Sequence, residues 1–305
     1  MPGTTSLRAL NRFSIITAAS TVCLLVAGAL VTGNDAADSV PDWPLAYGKI
    51  IPPLIGGIRY EFAHRVAAGI VAVLTVALAV WITSSPIRDR VARWGWTAVA
   101  LVLIQAGLGA LRVLYGHAKL IATIHATVAQ VFFLTLVALT LLTSDWWQQD
   151  HPALEDSGSP RLSTLGLCTT IVILIQLVLG AAFRHGAFGI LPHLIGAAVV
   201  IWMVTWTGRE AKSRFGSAPE LRKATILLHA TLGTQILLGF AAYWAVAESL
   251  KAVQPVLLLV VIEVAHVVVG ALTLAATVLL TLKAFRLVRP TASVTVGAST
   301  EKARA

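Results

Sequence analysis

The sequence predicts an all-α integral membrane protein, with eight transmembrane helices arranged as two pseudo-symmetric four-helix bundles. Three observations predict it. The chain of 305 residues is 57% hydrophobic and only 12% charged, about half the charge of a soluble globular domain, and its mean hydropathy is +0.82. Eight apolar runs each approach the roughly 20 residues a helix needs to cross a bilayer. A polar motif and a set of histidines recur between the two halves of the chain.

The runs fall at about 13–33, 61–83, 94–111, 120–143, 163–183, 191–207, 224–246 and 256–282. The first follows Arg8 and Arg12 as a signal peptide would, but its apolar core is longer than a usual signal core and it has a counterpart in the second half, so it reads as a span. The division expected is an N-terminal bundle over 1–150, a linker at 151–163, a C-terminal bundle over 164–290 and a tail at 291–305.

Charge sets the orientation. With the N-terminus inside, the inner segments collect Arg8, Arg12, Arg88, Arg90, Arg93, Arg161, Arg209, Lys212, Arg214, Arg222, Lys223, Lys283, Arg286, Arg289, Lys302 and Arg304. The outer loops then hold only Lys49, Arg59, Arg112, Lys119, Arg184 and Lys251. The positive-inside rule puts both termini in the cytoplasm. The net charge of +9 is thereby explained by topology, and no nucleic acid is expected as a partner. The short segment Met1 to Asn11 favours a bacterial plasma membrane over a mitochondrial one. Cys23 and Cys168 lie in apolar runs without metal or disulfide spacing and read as small buried hydrophobes.

Two loops are long. The inner one, about 144–162, carries Asp145, Asp150, Glu155, Asp156 and Gly158 and reads as a solvated linker; His151 within it is expected in solvent. The outer one, about 34–60, carries Pro41-Asp42-Trp43-Pro44 and Pro52-Pro53 beside apolar Leu45, Tyr47 and Ile50. It is either an interfacial aromatic belt or a lid over something bound at the outer face.

The motif QxxLG occurs as Gln105 to Gly109, Gln176 to Gly180 and Gln235 to Gly239. Gln105 to Gln235 and His64 to His193 span almost the same length, as two parallel four-span halves require. Glycines in these spans read as helix-packing residues.

The repeat also sorts the histidines. His64 and His193 open equivalent spans, and His125 and His266 lie in another equivalent pair. Each half thus has one pair, presented by neighbouring antiparallel spans at similar depth in the outer half of the membrane. Bis-histidine ligation of a haem iron needs this arrangement, with the bundle core as the slot for the porphyrin. His117 belongs to an outer loop, His185 follows span five, and His229 has no counterpart. A proton relay also uses intramembrane His and Glu. A closed zinc site needs four clustered ligands, and copper stays open on residue type.

Other polar residues join at this depth. Glu61-Phe-Ala-His64-Arg65 puts an acid and an imidazole three apart, on one helix face. Burial raises the pKa of such an acid and suits it to acid–base work. Arg65, Arg112 and Arg184 either pair with haem propionates or snorkel to the interface. Glu263 is three before His266 and either orients that ring or is a protonated buried acid.

These residues carry a resemblance. ExxHR at Glu61 to Arg65, Pro41-Asp42-Trp43-Pro44, the QxxLG repeats and the four histidines resemble the heme A synthase family across the eight-span region. The resemblance implies oxidation of a methyl group of heme O to a formyl group, through hydroxylated intermediates, to make heme A for terminal oxidases. It implies a resident haem b on His193 and His266. It implies substrate heme O at His64 and His125, which serve as ligands or catalytic residues, with Glu61 as a catalytic acid. A heme O synthase, terminal oxidase assembly factors and a second copy of the chain are its possible partners. Many family members carry CPDWPxC in the outer loop; here Val40 and Ala46 stand at the cysteine places. A thiol mechanism is therefore not expected. The rival readings are a transmembrane dihaem electron carrier and a proton-coupled transporter with parallel repeats.

Overall fold

The computed structural model describes residues 2–115, 119–249, 251 and 255–290. His117 and the tail at 291–305 lie outside the described residues. The helices are α1 (Pro2–Gly33), α2 (Ile58–Thr83), α3 (Arg88–Tyr115), α4 (Lys119–Leu142), the short α5 (Asp145–Gln148), α6 (Leu162–Arg184), α7 (Leu191–Phe215), α8 (Pro219–Ser249) and α9 (Leu257–Leu287). Two three-residue strands, β1 (Leu154–Asp156) and β2 (Val288–Pro290), pair in parallel.

All the helices but α5 are long and apolar enough to span a membrane. Each of the eight expected spans is present, most extended beyond its apolar run. In hydrocarbon a backbone polar group has no water to turn to, so a helix persists until it meets a polar surface. The eight apolar helices and the family resemblance both point to a multi-pass membrane protein.

Packing follows a simple order. α1, α2, α3 and α4 close a ring, each touching the next and α4 returning to α1. α6, α7, α8 and α9 close a second ring the same way. α1, α4, α6 and α9 meet along the seam, where Phe133 and Val137 pack with Ala271 and Ala275. Lipid is as apolar as leucine, so close approach through small residues drives such contacts. Gly166 lies against the Thr281 backbone and Gly95 against that of Ala79, each with no room for a methyl. Buried hydroxyls find partners within the helices: Thr273, Thr277 and Thr281 each donate to the carbonyl four residues back.

Two expectations are corrected here. Cys23 and Cys168 are exposed on the outer surface of their helices rather than buried. Nor is the inner linker merely solvated. Ser144 caps α5 by accepting from the Trp147 N–H, and His151 stacks on Trp146 while its Nε2 bonds the Trp146 carbonyl at 2.8 Å. Asp156 is buried, only 4% exposed. It accepts from the N–H groups of Gly158 and Leu162 at 2.9 and 2.8 Å and pairs with Arg214 at 3.1 Å. A carboxylate with several donors is worth burying, and this one ties the linker to α6 and α7.

Burial pushes the Asp156 carboxyl up, but the Leu162 and Gly158 amides and Arg214 outweigh it and hold it below the usual aspartate range. A depressed carboxylate stabilises the fold above the unfolded pKa of about 4 and loses that contribution as pH falls through the folded value. In detergent, the thermal midpoint of the protein is therefore expected to drop below about pH 4 more steeply than that of Asp156→Asn. Asp156→Ala, which leaves the Gly158 and Leu162 amides without their acceptor while Arg214 keeps Glu210 and the Pro160 carbonyl, is expected to cost about 2 kcal/mol at neutral pH. Thermal scans across pH check both.

Candidate functional site

α1, α3, α6 and α8 finish at one end of the molecule, and α2, α4, α7 and α9 begin there. All four paired histidines lie on helices that begin at this end. Each rests on a glycine of the helix just before it. A methyl added at Gly28 on α1 would sit 3.1 Å from Cε1 of His64, and one at Gly180 on α6 only 2.9 Å from Cε1 of His193. The corresponding distances are 3.7 Å from Gly109 to His125 and 3.5 Å from Gly239 to His266. Every helical hairpin thus supplies one imidazole and one bare patch of helix that accepts it. Three of the glycines end the QxxLG motifs. They are packing residues as expected, and what they pack is the imidazole. The fourth, Gly28, has Leu24 where the motif has glutamine, so the motif does not single it out. Its signal in the sequence is a glycine four residues after a motif position in the equivalent span.

The pairing differs in one respect from expectation. α2 and α4, which carry His64 and His125, run parallel and lie diagonally across their ring, not side by side. α7 and α9 do the same for His193 and His266. Diagonal helices leave the ring interior between them, so both imidazoles reach it from opposite walls. His193 and His266 face each other with ring centres 6.3 Å apart and planes at 82°. A metal ion held in line between two ring nitrogens at about 2 Å each would keep the ring centres roughly 6 Å apart. His125 lies within electrostatic reach of His64. Nδ1 of His64 and Nδ1 of His125 are buried without a hydrogen-bond partner. Paired rings across a bundle interior, seated against glycine, with the His193 and His266 ring centres at the separation an intervening metal needs, fit a bis-imidazole haem. Among the described residues no three His, Cys, Asp or Glu side chains form a metal-binding group.

Glu61 is buried, 4% exposed, at the start of α2. Its Oε1 pairs with Arg65 at 2.6 Å and its Oε2 accepts from the Val40 N–H at 3.0 Å. Arg65 also donates to the carbonyls of Asp42 and Leu45 at 2.8 and 2.9 Å. The acid and its arginine therefore hold the 34–60 loop down. The loop has its own order. Tyr47 and Gly48 both have positive φ, and Ala46 and Lys49 exchange backbone hydrogen bonds across them, a type I′ turn. Asp42 accepts from both turn amides at 2.7 Å. The Gly48 amide first, with the Tyr47 amide and Arg65 adding to it, holds its carboxyl below the usual range against the opposing effect of desolvation. Val40 and Ala46, at the family's cysteine places, are almost fully buried at 1% and 2% exposure. Apolar packing fills both places.

The other charged residues also have partners. Arg112 pairs with Asp38 at 2.8 Å and Arg184 with Glu263 at 2.6 Å. Glu263 thus serves an arginine, a partner that its spacing from His266 did not suggest. His185, which caps α6, is half-buried, and burial together with Arg184 and Arg112 lowers its pKa. His229 bonds the Thr225 carbonyl and packs against Gly208, away from the paired rings.

Comparison with known proteins supplies a family. Residues 58–191 match the model of the COX15-CtaA family, described as cytochrome oxidase assembly protein. The match includes Glu61, His64, Arg65 and His125 and stops short of His193 and His266. The chain is similar to proteins named heme A synthase. It is 32% identical to that of an Exiguobacterium species over 53% of each chain. It is 33% identical to that of Alkalihalophilus pseudofirmus over 44% of this chain and 46% of the relative. It is 25% identical to that of Symbiobacterium thermophilum over 76% and 85%. The chain spans about half the length of the first two of these relatives. Together these matches support the heme A synthase family.

The loop latch makes its own prediction. Arg65→Met leaves the Glu61 carboxylate buried without its partner, at a cost of about 3 kcal/mol, and frees the carbonyls of Asp42 and Leu45. Amide hydrogen exchange at Val40, Tyr47 and Gly48 is expected to quicken, with the change confined to the loop and the first turns of α2. Exchange read by mass spectrometry checks it.

Proposed function

We propose that this protein, as a member of the heme A synthase family, oxidises a methyl group of heme O to the formyl group of heme A, through hydroxylated intermediates. The observation that carries the reading is the facing pair His193 and His266, with a second histidine pair on equivalent glycine seats in the other ring. His193 and His266 would be the axial ligands of a resident haem b, which supplies one-electron transfer when bound. His64 and His125 would receive the substrate.

Glu61 is the acid of the substrate half. Its equivalent position beside His193 is Ile190, so only one half has an acid at this place. Glu61 lies one turn before His64, and it is buried and tied to the loop. Proton exchange at its Oε atoms is coupled to the Arg65 pair and to the Val40 amide. The loop, in turn, shields the site end from water, as a reaction on a reactive carbon requires. Arg65, Arg112 and Arg184 stand at the same end, paired with Glu61, Asp38 and Glu263, and would be the groups to receive haem propionates.

A dihaem electron carrier accounts for the histidines but not for Glu61 and its latched loop. The assignment places the protein in a bacterial plasma membrane with both termini in the cytoplasm and the haem sites towards the outer face. Heme O would be handed over by a heme O synthase, and heme A passed on for terminal oxidase assembly.

The purified protein is expected to show a low-spin bis-histidine haem spectrum, and His193→Ala to lose it from the resident site. Co-expressed with a heme O synthase, the protein is expected to yield heme A or a hydroxylated intermediate by mass spectrometry. Glu61→Gln, which keeps an acceptor for Val40 but not a carboxylate, is expected to accumulate heme O with a well-ordered loop. A colourless, correctly folded preparation rejects the haem reading. Normal heme A from Glu61→Gln rejects the acid role.

A further inference from the structure

The two histidine pairs sit on like glycines but have unlike neighbours. In the second ring each imidazole has a glutamine at its Nδ1. The amide nitrogen of Gln176 lies 3.0 Å from Nδ1 of His193 and donates to the His193 carbonyl at 2.9 Å. That of Gln235 lies 3.2 Å from Nδ1 and 3.4 Å from Nε2 of His266, along the ring edge between them. In the first ring the Gln105 amide donates only to the His125 carbonyl, at 2.9 Å. His64 faces a helix with Leu24 at the glutamine place, four before Gly28. Nδ1 of His64 and of His125 has no side-chain partner and only the backbone of Leu24 and of Gln105 within longer reach.

A second observation separates the halves. The glutamines of the second ring have space made for them on the histidine helices. A methyl at Gly196, one turn after His193, would strike Oε1 of Gln176. A methyl at Gly270, one turn after His266, would sit 3.2 Å from the amide nitrogen of Gln235. The same places after His64 are Ala67 and Ala68, and after His125 they are Val128 and Ala129.

A histidine that binds a metal through Nε2 carries its proton on Nδ1 and needs an acceptor there. The oxygens of Gln176 and Gln235 are buried and unmatched. A half-turn of the Gln235 amide, which exchanges two groups of nearly equal size, brings its oxygen to the ring proton; the Gln176 amide gives an N–H to the His193 carbonyl and is held by it beside the ring.

Resting on the haem reading above, we propose that Gln176 and Gln235 are positioning residues that fix the rings of His193 and His266 for axial ligation. Gly196 and Gly270 are the seats of those amides. The absence of the same device at His64 and His125 leaves the first pair able to exchange haem. The glutamines touch the ligands and not the reacting atoms. They set ring orientation and proton position, and so the retention and potential of the bound group.

The test uses the full-length protein carrying His125→Ala, so that only the second pair can give a bis-histidine haem. Gln176→Leu and Gln235→Leu are expected to lose haem to apomyoglobin about ten-fold faster or more, with a shifted midpoint potential and altered low-spin electron paramagnetic resonance. Gln235→Glu, which keeps an acceptor, is expected to restore retention. Gly196→Ala is expected to reproduce Gln176→Leu without touching the glutamine itself. In a His193→Ala background, Leu24→Gln paired with Ala67→Gly is expected to slow haem loss from the first pair. Unchanged retention, potential and resonance in the leucine variants overturn the proposal and leave the haem reading standing. A parent protein without low-spin haem overturns the haem reading itself.

Discussion

The contact between an imidazole and a bare stretch of neighbouring helix underlies the whole site. A side chain as large as histidine normally holds two helices apart. Where the facing residue is glycine, the ring lies against the backbone and the helices stay close. Four hairpins do this, at Gly28, Gly109, Gly180 and Gly239. The ring then has little freedom to turn, because backbone is on one side and the bundle interior on the other. At Gly28 and Gly180 the ring occupies space that a methyl would crowd, and at Gly109 and Gly239 it lies at ordinary contact distance from that place.

The outer segment depends on a different constraint. Glu61 is buried at a helix start, where an unpaired carboxylate would be costly. Arg65, one turn on, answers it, and both then have hydrogen-bonding capacity left over. The loop supplies what remains: the Val40 amide for the acid, and the carbonyls of Asp42 and Leu45 for the arginine. The ion pair and the loop are therefore one unit. Val40 and Ala46 add apolar burial at the places where related chains carry cysteines, so the loop is ordered without a disulfide.

Much of this is legible in the sequence because bilayers impose a coarse rule. An apolar run of the right length must be a helix, so eight spans can be located, although the helices run on past several of the apolar runs, by eleven residues at the start of α1. The histidine pairing follows from repeat register alone. The inner linker misleads because its composition is that of a solvated loop. The burial of Asp156 depends on Arg214, a partner far away in sequence, and no local pattern shows it. The partners of Arg112, Arg184 and Glu263 are hidden for the same reason, since each ion pair joins separate elements. The diagonal placement of the paired helices follows from ring closure, which spacing along the chain does not encode.

The two halves solve opposing problems with the same scaffold. A resident group must be held, and rings with fixed partners at Nδ1 hold it. A substrate must enter and leave, and rings whose Nδ1 is unmatched surrender it more easily. The half with unmatched rings is also the half with Glu61 and the latched loop, while the half with glutamine-backed rings has Ile190 at the acid's place. The absence of an acid at Ile190 and the glutamines' presence are independent features of the sequence, set on different segments; the buried acid of that half, Glu263, lies on the other histidine's helix and serves Arg184. Their coincidence in one half is the argument for assigning retention to that half and chemistry to the other. Either feature alone would be compatible with helix packing. Together they divide the labour of the molecule along its repeat.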